Sequence, residues 1–207
     1  MATVVCDTGM GNVFSVVRAL EHVGAPSVTV SADPDAIARA DRVVFPGQGA
    51  FRDCAAALSR DGQGLGDAIR AAIRRGTPYL GICLGLQALF QSSEEAPGAT
   101  GLGVFPGAVV RLPSGVDEAK APLKIPHMGW NEARPVREHA ILGPAAYYYF
   151  VHSYAVAPAD RSIVAATTTY GADFPSAVAS DNVVAVQFHP EKSQHAGLAL
   201  LARFAKM

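Results

Sequence analysis

The sequence lacks an excess of charge of either sign. Its 207 residues carry 17 Lys and Arg against 18 Asp and Glu, for a net charge of −1. Proteins that bind a nucleic-acid backbone have a basic surface, so we expect no nucleic-acid partner. Apolar runs fall well short of the roughly 20 residues that span a bilayer, and the first residues lack the basic region of a signal peptide. We therefore expect a soluble, intracellular protein with no membrane partner.

Cysteine is scarce, with three widely spaced residues, Cys6, Cys54 and Cys83. This odd number is not a disulfide framework, and it suits a reducing cytoplasm. No Cys or His cluster has the spacing of metal ligands. The segment Gly9-Met10-Gly11-Asn12 resembles a dinucleotide fingerprint only weakly, because Phe14 stands where a third glycine is needed. We expect neither a metal nor a cofactor, and we expect Cys6 and Cys54 to be inert core residues.

Strand and helix patterns alternate in the first half of the chain. Strands are predicted at residues 3–6, 28–30, 42–45 and just before Cys83, with helices at 11–23, 65–75 and from Leu84 to about Gln91. The second half predicts mostly strands, at 104–112, 123–127, 147–156, 163–169, 176–180 and 183–188, before a helix from about Gln194 to Lys206. We expect one domain over residues 1–207, an open and mostly parallel α/β sheet flanked by helices, with additional antiparallel strands in the C-terminal half.

A cysteine between two glycines follows one of these strands, in Gly81-Ile82-Cys83-Leu84-Gly85. A strand that turns sharply into a helix through Gly-x-Cys-x-Gly is the thiol counterpart of the nucleophile elbow. The N-terminal end of the following helix favours a thiolate. A lone buried cysteine is usually an inert hydrophobe, but this setting predicts that Cys83 is a nucleophile.

The segment Phe188-His189-Pro190-Glu191 supplies the partners that a thiol nucleophile needs. In an extended chain, side chains two residues apart point to the same side, so we expect His189 and Glu191 to share a face. A carboxylate orients an imidazole and stabilises the imidazolium that forms when the thiol loses its proton. His152 is the other candidate base, but no carboxylate follows it two residues later. Cys83, His189 and Glu191 therefore predict nucleophilic acyl transfer.

The loop Pro46-Gly47-Gln48-Gly49-Ala50-Phe51 follows a predicted parallel strand, at the edge where ligands bind in open α/β sheets. Its glycines allow backbone N–H groups to face a ligand, and a developing oxyanion needs such donors already in place. An ordinary glycine-rich turn has the same composition. Together with the elbow, the loop favours an oxyanion hole formed by the N–H groups of Gln48 and Leu84.

The elbow and the His-Pro-Glu segment together resemble the class I glutamine amidotransferases, whose triad is Cys-His-Glu. Within that group, the chain resembles the family of glutaminase subunits of imidazole glycerol phosphate synthase, from histidine biosynthesis. The segments that carry this second resemblance span nearly the whole chain: Asp7-Thr8-Gly9-Met10-Gly11-Asn12, residues 46–51, Pro126-His127-Met128-Gly129-Trp130-Asn131, Tyr149-Phe150-Val151-His152-Ser153-Tyr154 and Phe188-His189-Pro190-Glu191-Lys192-Ser193. The resemblance implies the flavodoxin-like fold of the class I amidotransferases.

The resemblance also implies an activity and a partner. Cys83, His189 and Glu191 would hydrolyse L-glutamine to glutamate and ammonia without a cofactor. The ammonia would pass to a synthase (cyclase) barrel subunit in a heterodimer, which forms imidazole glycerol phosphate and an aminoimidazole carboxamide ribonucleotide. By motif position, Gly49, Gln87, Glu95 and Ser153 would contact glutamine, and Asn12, Trp130, Asn131 and Lys192 would face the partner.

Two residues depart from the usual pattern of this family. Thr8 stands where a tyrosine is common, and Gln48 stands where a valine is common in the glycine loop. The choice of Glu95 over the adjacent Glu94 rests only on counting from Cys83.

Some assignments stay open at this level. Trp130, the one tryptophan, could be core rather than interface, and Lys192 could be a solvated charge. A glutaminase that serves another synthase, such as that for anthranilate or vitamin B6, is disfavoured by the segments at 126–131 and 149–154. A non-catalytic scaffold of the same fold is disfavoured because all three members of the triad are present.

Overall fold

A computed structural model describes residues 1–59, 64–116 and 122–207. The strands are β1 (Thr3–Cys6), β2 (Val28–Ser31), β3 (Arg42–Gly47), β4 (Tyr79–Cys83), β5 (Ser92–Ser93), β6 (Gly107–Arg111), β7 (His127–Pro135), β8 (Ala146–His152), β9 (Tyr154–Pro158), β10 (Val164–Tyr170), β11 (Ala172–Ser180) and β12 (Val183–Val186). The helices are α1 (Val13–His22), α2 (Pro34–Ala38), α3 (Phe51–Ser59), α4 (Leu65–Arg74), α5 (Leu84–Gln87) and α6 (Gln194–Phe204), with short 3₁₀ turns at Arg161–Ile163 and Pro190–Lys192.

Within these residues the strands form a nine-stranded and a three-stranded sheet. The large sheet has the order β2-β1-β3-β4-β12-β11-β10-β7-β8, and the small sheet has the order β5-β6-β9. The first five strands of the large sheet pair in parallel, whereas the remaining pairs are antiparallel. The expectation of a parallel N-terminal half with antiparallel strands added by the C-terminal half is confirmed.

Helices cover both faces of the parallel strands, so that successive strand residues enter two different cores. Val4 packs in one core with Ile37 of α2, while its neighbour Val5 packs in the other with Leu20 of α1. The same alternation separates Val43 from the next residue of β3. Side chains alternate along a strand, and a sheet that is buried on both faces needs apolar residues at every position. This requirement explains why β12 and the central residues of β1 and β3 are apolar.

The helix predicted from Leu84 to about Gln91 is shorter in the structure and ends at Gln87. A helix that reached Gln91 would bond the N–H groups of Leu89, Phe90 and Gln91 to carbonyls four residues earlier. The N–H groups of Leu89 and Phe90 instead bond carbonyls three residues earlier, and the Gln91 N–H donates to the Gly107 carbonyl (3.3 Å). Tertiary hydrogen bonding therefore overrides the helical pattern.

Two strand predictions are wrong. Residues 123–126 form no strand, and the pairing begins only at His127, opposite His152. Prolines at 122 and 126 have no N–H to donate to a ladder. The strand predicted at 147–156 is two strands, because Ser153 leaves the large sheet and Tyr154 begins pairing with Arg111 in the small sheet.

The remaining predictions for strands and helices agree with the structure to within a few residues, while α2 and most of β7 are elements that the sequence did not suggest. Cys6 and Cys54 are buried, and burial raises the pKa of each thiol to about 12, as expected of inert core residues. No helix among the described residues is long and apolar enough to cross a membrane. In the same residues, no group of three His, Cys, Asp or Glu side chains has the arrangement of a metal site.

Candidate active site

Cys83 lies at a sharp turn between β4 and α5. Its backbone has φ +53° and ψ −104°, a conformation that residues other than glycine rarely adopt and that recurs at functional sites. The turn packs closely against β3 and β4. The Tyr79 hydroxyl donates to the Gly85 carbonyl (3.0 Å). A Cβ on Gly85 would lie 1.8 Å from the Phe45 carbonyl oxygen. The strained elbow expected from the two glycines is present.

The sheet brings Cys83 and His189 to the same edge. Strands β4 and β12 are parallel neighbours, with Ile82 opposite Val186, so that Cys83 and the residues after Val186 leave the sheet side by side. His189 is held in turn by a backbone hydrogen bond from its N–H to the Tyr149 carbonyl (2.9 Å). Parallel pairing therefore places residues from distant parts of the sequence at one end of the sheet.

His189 and Glu191 form a buried pair. The Nδ1 atom of His189 lies 2.8 Å from Oε1 of Glu191, and both side chains are almost fully buried. Burial alone would lower the pKa of His189. The neighbouring Cys83, followed by the hydrogen bond and the charge of Glu191, raises that pKa to about 10. Both neighbours thus favour the protonated form of His189.

The second ring nitrogen of His189 faces the thiol side of the pair. Nε2 is buried, and within the described residues it meets no acceptor with the geometry of a full hydrogen bond. Because Glu191 occupies Nδ1, Nε2 is the atom that is left to exchange a proton.

A cavity of about 290 Å³ opens above Cys83. Its wall comes from the glycine loop, the elbow, the helix α5, the segment after β5 and the junction of β8 with β9. The lining residues are Gln48, Gly49, Cys83, Leu84, Gln87, Glu95, Pro126, Val151, His152, Ser153 and Tyr154. All four residues predicted to contact the substrate, and both predicted oxyanion donors, line this one cavity.

The two residues whose N–H groups are predicted to form the oxyanion hole lie next to Cys83 in the fold. Gln48 follows directly after β3, and Leu84 is the first residue of α5. Gly47 pairs with Cys83 across the sheet, so that both residues lie at the same edge as the sulfur. Backbone N–H donors at such a place can stabilise an oxyanion.

The two adjacent glutamates lie in different places, and only Glu95 faces the cavity. Glu95 lines the cavity, and its Oε2 accepts the Phe51 N–H (3.0 Å). Glu94 is exposed, and its carboxylate accepts the Arg111 N–H outside the cavity.

His152, the alternative base, has neither a carboxylate nor a free nitrogen. Its Nδ1 lies 2.9 Å from the Tyr154 carbonyl, and its Nε2 lies 3.0 Å from Nδ1 of His127. Burial lowers the pKa of His152 to about 3. His152 is therefore neutral, and both of its ring nitrogens are engaged in hydrogen bonds within the protein.

Of the four residues predicted to face a partner, two are exposed and two are half-buried. Trp130 is 48% exposed, so the core interpretation of this residue is wrong. Asn12 is exposed and caps α1 through Ser15. Asn131 and Lys192 are half-buried, and Asn131 donates to the Thr169 carbonyl (2.9 Å).

One polar residue at the site was not predicted. Gln187 is fully buried and its Nε2 lies 3.5 Å from the Cys83 sulfur. The available signal was a single amide within an otherwise apolar strand, two residues before His189 and therefore on the same side of the chain.

Comparisons with known proteins agree with this geometry. The family model described as "Glutamine amidotransferase class-I" matches residues 4–207. The chain is 51% identical to "Imidazole glycerol phosphate synthase subunit HisH" of Methylococcus capsulatus, over 98% of this chain and 94% of that protein. It is 49% identical to the protein of the same name from Syntrophotalea carbinolica, over 99% of each.

The fold also matches solved structures at low sequence identity. "Crystal structure of glutamine amidotransferase" superposes with a TM-score of 0.74 at 18% identity, covering 99% of each chain. "Trypanosoma brucei CTPS - glutaminase domain with bound acivicin" superposes with a TM-score of 0.66 at 18% identity, covering 100% of this chain and 94% of the other. At these identities the likeness concerns the fold alone.

Proposed function

Because this chain belongs to the class I glutamine amidotransferases, and within them to the family of imidazole glycerol phosphate synthase HisH subunits, we propose that it is the glutaminase of such a synthase. The observation that carries the proposal is the arrangement at the cavity floor: a strained Cys83 beside a buried His189 whose pKa is raised and whose other nitrogen is held by Glu191. The reaction is hydrolysis of L-glutamine to glutamate and ammonia.

The Cys83 sulfur attacks the side-chain amide carbon of glutamine, and His189 Nε2 holds the thiol proton. The resulting oxyanion is stabilised by the N–H groups of Gln48 and Leu84. His189 then protonates the departing nitrogen, so that ammonia leaves and a γ-glutamyl thioester remains. Water, deprotonated by the same imidazole, attacks the thioester carbonyl, which releases glutamate and regenerates the thiol. Glu191 keeps His189 in the required orientation throughout.

The cavity offers polar groups suited to an amino acid. Gln87 has its Nε2 committed to the Tyr154 carbonyl (3.0 Å), so its Oε1 is the atom that it presents to a substrate N–H. Glu95 has one carboxylate oxygen left after binding the Phe51 N–H, which suits the α-ammonium group. Gly49 and Ser153 complete the wall.

The proposed partner is a cyclase barrel subunit, bound as a heterodimer over the rim of the cavity. Support comes from large apolar side chains that stay exposed on β7 and β8, Trp130 and Tyr147, which line one depression together. Aromatic residues are enriched at the centres of protein interfaces. In this proposal Asn12, Trp130, Asn131 and Lys192 face the barrel, and ammonia passes directly into it to form imidazole glycerol phosphate and an aminoimidazole carboxamide ribonucleotide.

Two further assignments accompany the proposal. Residues 1–207 act as a single amidotransferase domain, in line with the match over residues 4–207. The protein works in the cytoplasm, where its three free cysteines stay reduced. No cofactor is required by the chemistry described.

The decisive test is purification with a candidate barrel subunit, followed by measurement of glutamate release with and without the nucleotide ligand of that subunit. We expect weak hydrolysis by the free chain and strong hydrolysis by the liganded complex. Cys83→Ala should abolish glutamine-dependent synthesis while ammonia-dependent synthesis by the complex stays intact. Cys54→Ala, a change at a buried cysteine of α3, is the matched control and should keep both activities. Loss of both activities in Cys83→Ala would contradict the proposed division of labour.

The interface is tested separately. Trp130→Ala should weaken association with the barrel by tenfold or more, since truncation of a central interface tryptophan typically costs about 2 kcal/mol or more. Val30→Ala removes an apolar side chain of comparable exposure on the opposite edge of the sheet, and it should leave association unchanged. Equal affinities for the two variants would contradict the proposed surface.

A further inference from the structure

Gln187 is a fully buried amide that contacts the nucleophile. It follows β12, and its backbone N–H donates to the Ser176 carbonyl (2.9 Å) on the neighbouring strand. Its side chain lies between two partners: Oε1 is 3.3 Å from Nε2 of Gln87, and Nε2 is 3.5 Å from the Cys83 sulfur. A buried amide is costly unless its polar atoms are paired, and here each end has one partner.

The orientation of this amide is fixed by a carbonyl two groups away. The Tyr154 carbonyl oxygen has no proton and can only accept. Gln87 must therefore present its nitrogen to Tyr154 (3.0 Å). The same nitrogen also donates to Gln187, so Gln187 must accept through its Oε1. Its nitrogen is then left toward Cys83, and the sulfur receives an N–H.

A second branch holds the Tyr154 carbonyl in place. His152 Nδ1 also lies against this oxygen (2.9 Å), and its Nε2 meets Nδ1 of His127. The carbonyl forces His152 to carry its proton on Nδ1, which leaves Nε2 to accept from His127. Asn131 lies against the far nitrogen of His127 (3.2 Å). The Tyr154 carbonyl, which orients Gln87, is thus also held by a hydrogen bond from His152.

An N–H that points at a sulfur distinguishes the two protonation states of a cysteine. A neutral thiol is a weak acceptor, whereas hydrogen bonds to an ionised acceptor are about twice as strong as neutral ones. The Gln187 amide therefore stabilises the thiolate more than the thiol. It also restrains the sulfur from a second direction, in addition to His189.

We propose that Gln187 is a positioning residue that stabilises the Cys83 thiolate and aims it at the substrate amide, with its own orientation set by Gln87 and the Tyr154 carbonyl. The proposal deepens the glutaminase function and rests on it for its role in turnover. The state of the sulfur itself can be measured without glutamine or a partner.

The test compares Gln187→Met with the wild type by the pH dependence of Cys83 alkylation with iodoacetamide, in the free chain. Methionine has similar bulk but no N–H. Gln87 keeps its bond to the Tyr154 carbonyl, and its second N–H loses the acceptor Gln187 Oε1, which lowers stability without adding or removing a charge near the sulfur. Cys6 and Cys54 are buried with pKa values raised to about 12, and Cys83→Ala gives the background. Gln187→Leu removes the same donor with a branched side chain and serves as the second variant if the first fails to fold.

We expect the midpoint of the alkylation profile to rise by about one pH unit or more, with a fall of about tenfold in rate at neutral pH, as for loss of a hydrogen bond to an ion. Among the described residues, the titratable side chains around the sulfur and its cavity are His189, Glu191 behind it, His152, Tyr154 and Glu95. All five are retained in the variants, so a shift is attributable to Gln187.

Ser176→Ala is the matched control, a change at a fully buried neighbour on β11 that leaves the backbone carbonyl in place. It should keep the wild-type midpoint. A folded Gln187 variant whose midpoint equals that of Ser176→Ala would overturn the proposal. In the complex with the barrel, kcat for glutamine should fall while KM changes little. A wild-type complex without glutaminase activity would instead contradict the proposed function and leave the alkylation result standing.

Discussion

Gly85 offers a sharp test of how the elbow is built. In Gly85→Ala the new Cβ would lie 1.8 Å from the Phe45 carbonyl oxygen and 2.9 Å from its carbonyl carbon. The obstacle is the backbone of β3, a central strand of the large sheet, and no side chain can rotate away. Reaching an ordinary van der Waals separation requires α5 and β3 to move apart by about 1.6 Å. The elbow would have to tilt away from the sheet.

This displacement has two expected consequences. Overpacking of a rigid site costs about 3 kcal/mol or more in free energy of unfolding, which for a chain of this size lowers Tm by about 6–12 °C. The same tilt moves the Cys83 sulfur and the Leu84 N–H, and a misplacement of about 1 Å can cost 100-fold in rate. Thermal unfolding and glutamate release in the complex measure the two effects.

Gly98→Ala is the control for this experiment. Gly98 has φ +85° and no atom within 4 Å of the position of a new Cβ. It therefore reports only the cost of a left-handed backbone, about 1–2 kcal/mol, at a site away from the elbow. If Gly85→Ala is no less stable than Gly98→Ala and hydrolyses glutamine at the wild-type rate, the proposed close packing of the elbow is wrong.

Two other predictions concern titratable groups. Glu191→Gln should lower the pKa of His189, because the charge and the ionic hydrogen bond that raise this pKa are lost. In the complex, the same change should reduce glutamate release less than Cys83→Ala does. Equal losses of glutamate release would argue for a different role of Glu191. Burial lowers the pKa of His127 from 6.5 to about 4, so that the unfolded chain takes up a proton first and the free energy of unfolding should fall by about 3 kcal/mol as pH drops from 6.5 to 4. In a series of urea denaturations, His127→Phe should weaken the dependence of the free energy of unfolding on pH between 6.5 and 4, and His152 accounts for the dependence that remains. An unchanged pH dependence would refute the assignment. His189 has a raised pKa, so its contribution to the free energy of unfolding is lost only as pH rises toward 10.

Local patterns were sufficient to predict the site where one short segment contains the whole signal. The Gly-x-Cys-x-Gly turn and the His-x-Glu spacing depend on neighbouring residues, and the structure has the strained Cys83 and the paired His189 and Glu191. Parallel strands buried on both faces are likewise visible as continuous apolar runs. The roles assigned to these residues in turnover stay predictions.

Features that depend on distant contacts could not be predicted in this way. Helix α5 stops early, with the Gln91 N–H bonded to the Gly107 carbonyl of β6, and the residues of the helix itself do not predict this contact. The break at Ser153 reflects a change of sheet, which alternation along one aromatic run cannot show. The contact between Gln187 and Cys83 exists only because β12 pairs with β4.

The position of β12 has a consequence for biosynthesis. It is the last strand of the chain in sequence, yet it occupies the middle of the large sheet, between β4 and β11. A ribosome that has made the elbow still has about a hundred residues to add before the imidazole and the amide exist. Until then Cys83 has neither His189 nor Glu191 beside it, so a nascent or truncated polypeptide that ends before β12 lacks the triad. The triad is complete only when β12 has been inserted between β4 and β11.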